Sequence, residues 1–179
     1  LHVTMGGQWP TLYRDAILRK KELFRCFDSV IVFEGESALC ELVQRLEVRK
    51  DISSIPNVIQ SGLVSFAHSA RREENMDLLP CPDFDGLSLG EYDGSRGGDI
   101  SLTFETSRGC YWSKCAYCVD LPLPKPSYRR KAPALVARDM KELKEKYGAE
   151  YLLFGDPGLS PRQMREISLS ISEERVEMG

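Results

Sequence analysis

Hydrophobic positions in the first third of the chain alternate between the spacing of strands and the spacing of helices. Leu1 to Met5 is mostly apolar or β-branched and stops at two glycines, as a short strand does when it enters a tight turn. Ser29 to Phe33 is a nearly continuous apolar run, typical of a strand buried on both faces of a parallel sheet. A helical stripe follows, formed by Leu39, Leu42, Val43 and Leu46. This order predicts an α/β fold with an open, parallel, Rossmann-like sheet.

A different pattern begins at Asp99, where apolar and polar residues alternate as far as Thr106. Alternation suits a barrel strand, with apolar side chains toward outer helices and polar ones toward a lumen that holds a ligand. Three further elements follow in order: a helix from Pro133 that closes at Gly148, a strand over 150–154, and a helix with a capping box at Ser160 and Gln163. This half therefore predicts the first βα units of a partial TIM-like (β/α) barrel.

These patterns divide the chain into three parts: an α/β portion over 1–66, a linker over 67–98 and a barrel portion over 99–179. The linker is predicted because Asp, Glu, Gly and Pro accumulate there, and because prolines hold Leu79 to Phe84 extended. The chain begins at Leu1 without an initiator Met, and only two βα units follow the linker. We therefore expect it to be a fragment of a longer protein.

The composition narrows the partners and the compartment. The chain has 179 residues and a formal net charge of −3, which gives no reason to expect a nucleic-acid partner. No run approaches the roughly 20 apolar residues of a membrane span, so no membrane partner is expected. Six cysteines without the regular spacing of a disulfide framework favour a reducing cytoplasm and a thiolate metal site.

Three of the six cysteines lie in one short loop directly after the strand that begins near Asp99. Four residues separate Cys110 from Cys115, and two separate Cys115 from Cys118. Closely spaced thiolates repel one another unless a cation neutralises them, which indicates a metal centre. A structural zinc site needs a fourth ligand, and the nearest histidine is the distant His68. An iron–sulfur cluster with three protein thiolates would instead keep one iron open to a small molecule. Three unligated cysteines would be unusual at this density.

The loop resembles the cluster loop of radical S-adenosylmethionine (SAM) enzymes. The resemblance is carried by Ser107-Arg108-Gly109-Cys110 and by Cys115-Ala116-Tyr117-Cys118, although the first interval is one residue longer than is usual in that family. It implies that the three cysteines bind a [4Fe–4S] cluster, with the methionine end of SAM on the fourth iron. Tyr117 would then pack beside the adenine ring.

The first half resembles the N-terminal cobalamin-binding domain that one subclass of this family carries. The matching features are Gly6-Gly7-Gln8-Trp9-Pro10 after the first strand, Gly35-Glu36 after the next, and the bridge from Leu79 to Phe84. The resemblance implies that 1–66 is the C-terminal portion of such a domain, with Gly6 and Gly7 lining part of the cobalamin pocket. His2 does not match the subclass motif that supplies a cobalt ligand.

The resemblance also implies a function. Gly155 and Asp156, at the end of the second barrel strand, would contact the methionine end of SAM. The enzyme would cleave SAM reductively to a 5′-deoxyadenosyl radical that acts on a small molecule or peptide, with cobalamin used for methyl transfer or rearrangement. An electron donor such as flavodoxin or ferredoxin would reduce the cluster. The alternative from the residues alone is a non-catalytic, zinc-stabilised interaction module built on Cys110, Cys115 and Cys118.

Overall fold

A computed structural model describes residues 1–60, 73–91, 99–118 and 127–174, apart from the side chains of Lys21 and Leu23. These described residues form two compact units, one ending at Glu74 and the other beginning at Asn75. Both units contain helices and strands, so the predicted mixed α/β class is confirmed. His68 lies outside the described residues, as do parts 67–72 and 92–98 of the predicted linker. No helix of the described part is long and apolar enough to cross a membrane.

The first unit follows the predicted order of strands and helices. Its helices and strands are β1 (Thr4–Met5), α1 (Gln8–Leu12), α2 (Arg14–Arg19), a 3-10 helix (Lys21–Arg25), β2 (Ser29–Ile31), α3 (Glu36–Glu47) and β3 (Val58–Gln60). The strands are short, and the sheet order is β1-β2-β3.

This sheet is mixed, so the prediction of a parallel sheet is correct for only one of its two strand pairs. β1 and β2 are parallel, whereas β3 runs antiparallel to β2. The reason lies before β3, where Asn57 is fully buried in a left-handed conformation with φ 65°. Its carbonyl accepts from the Val32 N–H and its amide donates to the Glu34 carbonyl. The chain therefore returns to the carboxyl end of β2 and runs back along it.

Strand β2 is buried on both faces, as its apolar run predicts. Ile31 contributes to one hydrophobic cluster with Ala38 and Leu42 of α3, while Val30 and Val32 contribute to another with Ile17. The apolar face of α3 is narrower than its spacing predicts, because Leu39 and Val43 are exposed.

The second unit contains two parallel strands and two helices in the predicted order. Its helices and strands are two 3-10 helices (Met76–Leu78 and Leu89–Glu91), β4 (Ser101–Phe104), β5 (Ser107–Arg108), β6 (Arg129–Arg130), α4 (Pro133–Tyr147), β7 (Tyr151–Phe154) and α5 (Pro161–Glu173). β4 and β7 are parallel and pair Ser101 with Tyr151 through Phe104 with Phe154. Two parallel strands and two helices are the elements that the pattern predicts; that they are the first units of a partial TIM-like barrel stays a prediction.

The alternation along β4 is confirmed. Leu102 and Phe104 are buried in a core with Val136, Met140 and Leu143 of α4, whereas Ser101 and Thr103 are exposed. Both helix boundaries also agree with their signals. α4 begins at Pro133 and ends before Gly148, which has φ 66°. The Ser160 side chain accepts from the Gln163 N–H at the start of α5.

The described part of the predicted linker packs against α4. Cys81, Phe84 and Leu89 contact the core of the second unit, and the Tyr147 hydroxyl accepts from the Phe84 N–H at 2.9 Å. A buried ion pair between Lys131 and Asp139 of α4 adds to this attachment, because the same ammonium donates to the Leu79 carbonyl at 3.0 Å. The boundaries of the three predicted parts stay predictions.

Candidate metal centre

The three clustered cysteines follow β4 at its carboxyl end. The lead-in to the loop is held by β5, which pairs antiparallel with β6 through Ser107 with Arg130 and Arg108 with Arg129. Thr106 and Ser107 are fully buried, so the chain is fixed immediately before Cys110. A parallel strand therefore delivers the loop to the edge where α/β folds commonly bind ligands.

Gly109 is required by the backbone at this point. It has φ +79°, a conformation that residues with a side chain rarely adopt. A Cβ added there would lie 2.8 Å from the Ser127 carbonyl oxygen, closer than van der Waals contact allows. The glycine before Cys110 therefore turns the chain and lets it pass close to the segment that leads into β6.

Cys110, Cys115 and Cys118 are half-buried thiols without disulfide bonds. Cys118 donates its N–H to the Cys115 carbonyl at 3.4 Å, so these two lie on one turn. Cys110 lies against the loop after β7, because a Cβ added at Gly158 would be 3.1 Å from the Cys110 Sγ. The loop thus presents three thiols, and the Cys110 sulfur lies close to Gly158.

The spacing of these thiols bears on the type of metal centre. Among the residues that the structure describes, the three sulfurs do not all lie within 4.8 Å of one another. Thiolates on one tetrahedral zinc, each at about 2.3 Å from the ion, would lie closer together than that. In a [4Fe–4S] cluster each thiolate binds a different iron, so wider spacing is needed. The positions of the three thiols therefore do not match the packing of ligands around a single tetrahedral zinc ion.

Asp156, which follows β7, is bonded to the lead-in of the cysteine loop. Its carboxylate accepts from the Thr106 N–H at 3.1 and 3.2 Å, from the Thr106 hydroxyl at 3.1 Å and from the Ser107 hydroxyl at 2.6 Å. Sequence reasoning assigns Asp156 to the methionine end of SAM. In the structure its carboxylate accepts from three groups of the protein, and the assignment to SAM stays a prediction.

Gln163 of α5 also bonds to Thr106, and this contact was not predicted from the sequence. Its side chain is fully buried and donates to the Thr106 hydroxyl at 3.2 Å, while its carbonyl oxygen accepts from the Tyr128 hydroxyl. The predicted capping box is therefore half formed: Ser160 caps the Gln163 N–H, but the Gln163 side chain turns to Thr106. Only the three-dimensional pairing of β4 with β7 could have revealed this role.

Of the remaining predicted SAM residues, Tyr117 lies within the cysteine loop and Gly155 directly follows β7. Tyr117 is 85% exposed, so its ring is accessible to a ligand. Gly155 extends the parallel ladder by donating its N–H to the Phe104 carbonyl at 3.0 Å. A Cβ at Gly155 would lie 3.2 Å from the Thr103 side chain, which explains a glycine there without reference to a ligand.

Gly6 and Gly7, the predicted cobalamin residues, lie at the end of β1. Gly7 precedes α1 with φ +103°, and its carbonyl accepts from the Thr11 hydroxyl at 2.8 Å. The same hydroxyl accepts from the Phe33 N–H at 2.8 Å, so Thr11 joins the ends of β1 and β2. Thr11 lies inside α1, where it makes these bonds.

One further group of metal-ligating side chains lies outside the cysteine loop. Cys81, Asp139 and Glu142 bring their ligand atoms within 4.8 Å of one another. Burial, together with the charges of Asp139 and Glu142, raises the pKa of the Cys81 thiol to about 11, so the thiol stays protonated at neutral pH. The ammonium of Lys131 already pairs with buried Asp139. Cys81 is therefore explained by its packing against the core of the second unit.

Comparison with known proteins supports the resemblance of the cysteine loop. No protein-family model matches the chain. The chain is 35% identical over 122 residues to 4′-phospho-dehydrooxetanocin synthase from Priestia megaterium, an alignment that covers 65% of this chain and 15% of that protein. Its fold is similar to the apo, selenomethionine-labelled structure of the cobalamin-dependent S-adenosylmethionine radical enzyme OxsB. That match has a TM-score of 0.65 and 23% identity, and covers 97% of this chain and 24% of the other.

Both relatives are enzymes, and this chain spans only a minor part of each. The sequence match and the fold match agree with the resemblance that Cys110, Cys115 and Cys118 suggest, and the fold match covers nearly all of this chain. These matches support the predicted resemblance: this chain is similar in sequence to a segment of the synthase and in fold to a segment of a cobalamin-dependent S-adenosylmethionine radical enzyme.

Proposed function

We propose that this chain is part of a radical SAM enzyme in which Cys110, Cys115 and Cys118 hold a [4Fe–4S] cluster. The observation that carries the proposal is the set of three undisulfided, separated thiols on one loop at the carboxyl end of β4. When bound, the cluster supplies the electron for reductive cleavage of SAM. The zinc-stabilised alternative is not favoured, because one zinc ion needs closely packed ligands and a fourth donor.

The chain's own residues would hold and shield this centre. Gly109 turns the backbone into the loop, and Gly158 leaves room for the Cys110 sulfur. Tyr117 offers an exposed ring against which an adenine can stack. Gly155, at the end of β7, would lie near the methionine end of SAM. Together, β4 and β7 with α4 and α5 would form the first βα units of a larger barrel.

The wider activity is proposed from the relatives. A small molecule or peptide would be the substrate, and a flavodoxin or ferredoxin the electron donor. The fold match to a cobalamin-dependent enzyme supports cobalamin near Gly6 and Gly7, with methyl transfer or rearrangement as the outcome. A reducing cytoplasm is the proposed compartment, since all six cysteines are free of disulfide bonds.

Anaerobic reconstitution with iron and sulfide tests the cluster. We expect close to four irons and four sulfides per chain, the stoichiometry of a [4Fe–4S] cluster. The Cys115→Ala variant should lose most of both, because a thiolate that binds the cluster is removed. Cys40→Ala is the matched control, since Cys40 is an exposed thiol in the first unit and should leave the iron content unchanged.

Two results would contradict the proposal. One is stoichiometric zinc with no uptake of iron under these conditions, which would restore the zinc-stabilised module. The other is equal iron content in Cys115→Ala and Cys40→Ala, which would show that iron binds elsewhere. Far-UV circular dichroism of each variant verifies that its fold is intact.

A further inference from the structure

We propose that Asp156 is a positioning residue for the cluster loop and acts through Thr106 and Ser107, not through a contact with SAM. This inference rests on the proposed function, because it concerns how the loop that carries Cys110 is held. It gives Asp156 a different role from the one that the family resemblance implies.

The bonding of the Asp156 carboxylate supports this role. Its Oδ1 accepts from the Thr106 N–H, the Thr106 hydroxyl and the Ser107 hydroxyl, and its Oδ2 accepts from the same N–H. Thr106 and Ser107 are fully buried, so these groups have little access to water as a substitute partner. Loss of the acceptor would leave buried donors unsatisfied, which is costly in the folded state.

The direction of the bonds around Thr106 shows that two elements brace it together. The Thr106 hydroxyl donates to Asp156 and accepts from the Gln163 side chain of α5 at 3.2 Å. The Thr106 carbonyl accepts from the Lys131 N–H at 2.8 Å, beyond the end of β6. Thr106 is thus tied to the β7–α5 connection, to α5 and to the chain after β6.

We call the hydrogen bonds from Asp156 and Gln163 to Thr106 and Ser107 the brace. The brace lies close to Cys110, the first proposed cluster ligand, both along the chain and across the fold. Along the chain, Ser107 is three residues before Cys110, with Gly109 in its required left-handed turn between them. Across the fold, Gly158 lies two residues after Asp156 and against the Cys110 sulfur. The short segment after β7 therefore holds Thr106 and Ser107 through Asp156 and contacts the Cys110 sulfur through Gly158. Partners behind metal ligands orient them in the same way in other metal sites.

The rate of iron loss to a chelator measures this role directly. In the reconstituted protein, Asp156→Ala should release iron about tenfold faster than the unaltered protein, the lower end of the range for partners behind metal ligands. Glu166→Ala is the control, because Glu166 is a carboxylate of the same unit that pairs with Arg130 and Arg162 instead. It should leave the rate unchanged. Equal rates for Asp156→Ala and Glu166→Ala would overturn the inference.

Electron paramagnetic resonance of the reduced cluster separates positioning from SAM contact. The Asp156→Ala protein that retains a cluster should still change its spectrum when SAM is added. A variant with normal iron retention whose spectrum no longer responds to SAM would assign Asp156 to the cofactor and overturn the inference. Absence of any cluster in the unaltered protein would overturn the proposed function itself, which is a distinguishable failure.

A double-mutant cycle keeps the test decisive where Asp156→Ala does not fold. Asp156→Asn and Ser107→Ala are milder changes, and each should speed iron loss by a smaller factor. Because both act on one hydrogen-bond network, the double variant should lose iron more slowly than the product of the two factors predicts. Multiplicative effects would show that the two residues act independently, and would contradict the brace.

Discussion

Strands end in glycine-containing turns in both units. The units differ in whether the polar and thiol groups after these strands are already bonded to the protein. In the first unit, the polar groups at the ends of β1 and β2 bond to one another. Thr11 joins Gly7 to Phe33, and Glu74 accepts from the Ser37 N–H at 3.0 Å and from its hydroxyl at 2.7 Å at the start of α3. In the second unit, Asp156 and Gln163 bond to Ser107 and Thr106, before the cysteine loop. Within the described part of the chain, the hydrogen bonds of these two side chains do not extend to the three thiols.

This difference separates structural polar groups from candidate ligands. Glu34, Gly35 and Glu36 follow β2 as a ligand-binding edge would, yet the Glu34 carboxylate accepts from the Glu74 N–H at 2.6 Å. That bond and the bonds of Glu74 to Ser37 give the carboxylates of Glu34 and Glu74 structural roles. At the cysteine loop, in contrast, the bracing residues explain the backbone but not the three thiols. The three thiols, which have no structural explanation of this kind among the described residues, are therefore better candidates for metal ligands than the carboxylates after β2.

Gly109→Ala should have the largest effect among the substitutions that test this comparison. A side chain in the left-handed region costs about 1 kcal/mol, and the clash with Ser127 adds about 2 kcal/mol. We expect the second unit to lose about 3 kcal/mol of unfolding free energy in urea denaturation, with a corresponding loss of bound iron. Gly148→Ala is the matched control, because Gly148 also has positive φ but its Cβ would meet nothing within 4 Å. Equal losses for the two variants would show that the close approach to Ser127 is unimportant.

Thr11→Val should have the next largest effect, in the first unit. Valine has the shape of threonine but removes the acceptor for the Phe33 N–H and the donor to Gly7, which should cost about 2 kcal/mol. Hydrogen exchange of the amides at the end of β2 should quicken accordingly. Thr103→Val, on the exposed face of β4, should leave both exchange and stability close to unchanged. An unchanged exchange rate in Thr11→Val would contradict the view that this strand end is internally bonded.

The smallest expected effect concerns the reactivity of Cys81, whose thiol packs against the core of the second unit. With the pKa raised to about 11 from an ordinary 9.0, its thiolate fraction near pH 8 should be about a hundredfold below that of an ordinary thiol. Alkylation with iodoacetamide, followed by mass spectrometry, should therefore label Cys81 last. Since the folded-state pKa is the higher one, the stability that Cys81 contributes is complete below pH 9.0 and is lost as the pH rises toward about 11. Fast labelling at pH 8 would contradict this.

The sequence was sufficient for elements whose signals are local. Pro133 and Gly148 mark the ends of α4, and alternation along β4 identifies its buried face, because caps and side-chain period depend only on neighbouring residues. The direction of β3 was not predictable in this way. It depends on the buried amide of Asn57, whose partners come from another strand.

The candidate site divides along the same line. Three clustered cysteines after a glycine are visible in the sequence, because metal ligands in loops have short spacing. The braces are not visible, because Asp156 and Gln163 meet Thr106 only after β7 has paired with β4. The sequence could therefore assign Asp156 to SAM but could not show its bonds to Thr106 and Ser107, and the assignment to SAM stays a prediction.

Mössbauer spectroscopy of the iron-57-reconstituted protein tests the central claim most directly. Three cysteine thiolates leave one of the four irons without a protein ligand, so this account predicts that added SAM changes the signal of one iron and leaves the other three. A spectrum in which SAM changes no iron, or in which all four irons behave alike, would contradict the claim that Cys110, Cys115 and Cys118 hold a cluster open to SAM.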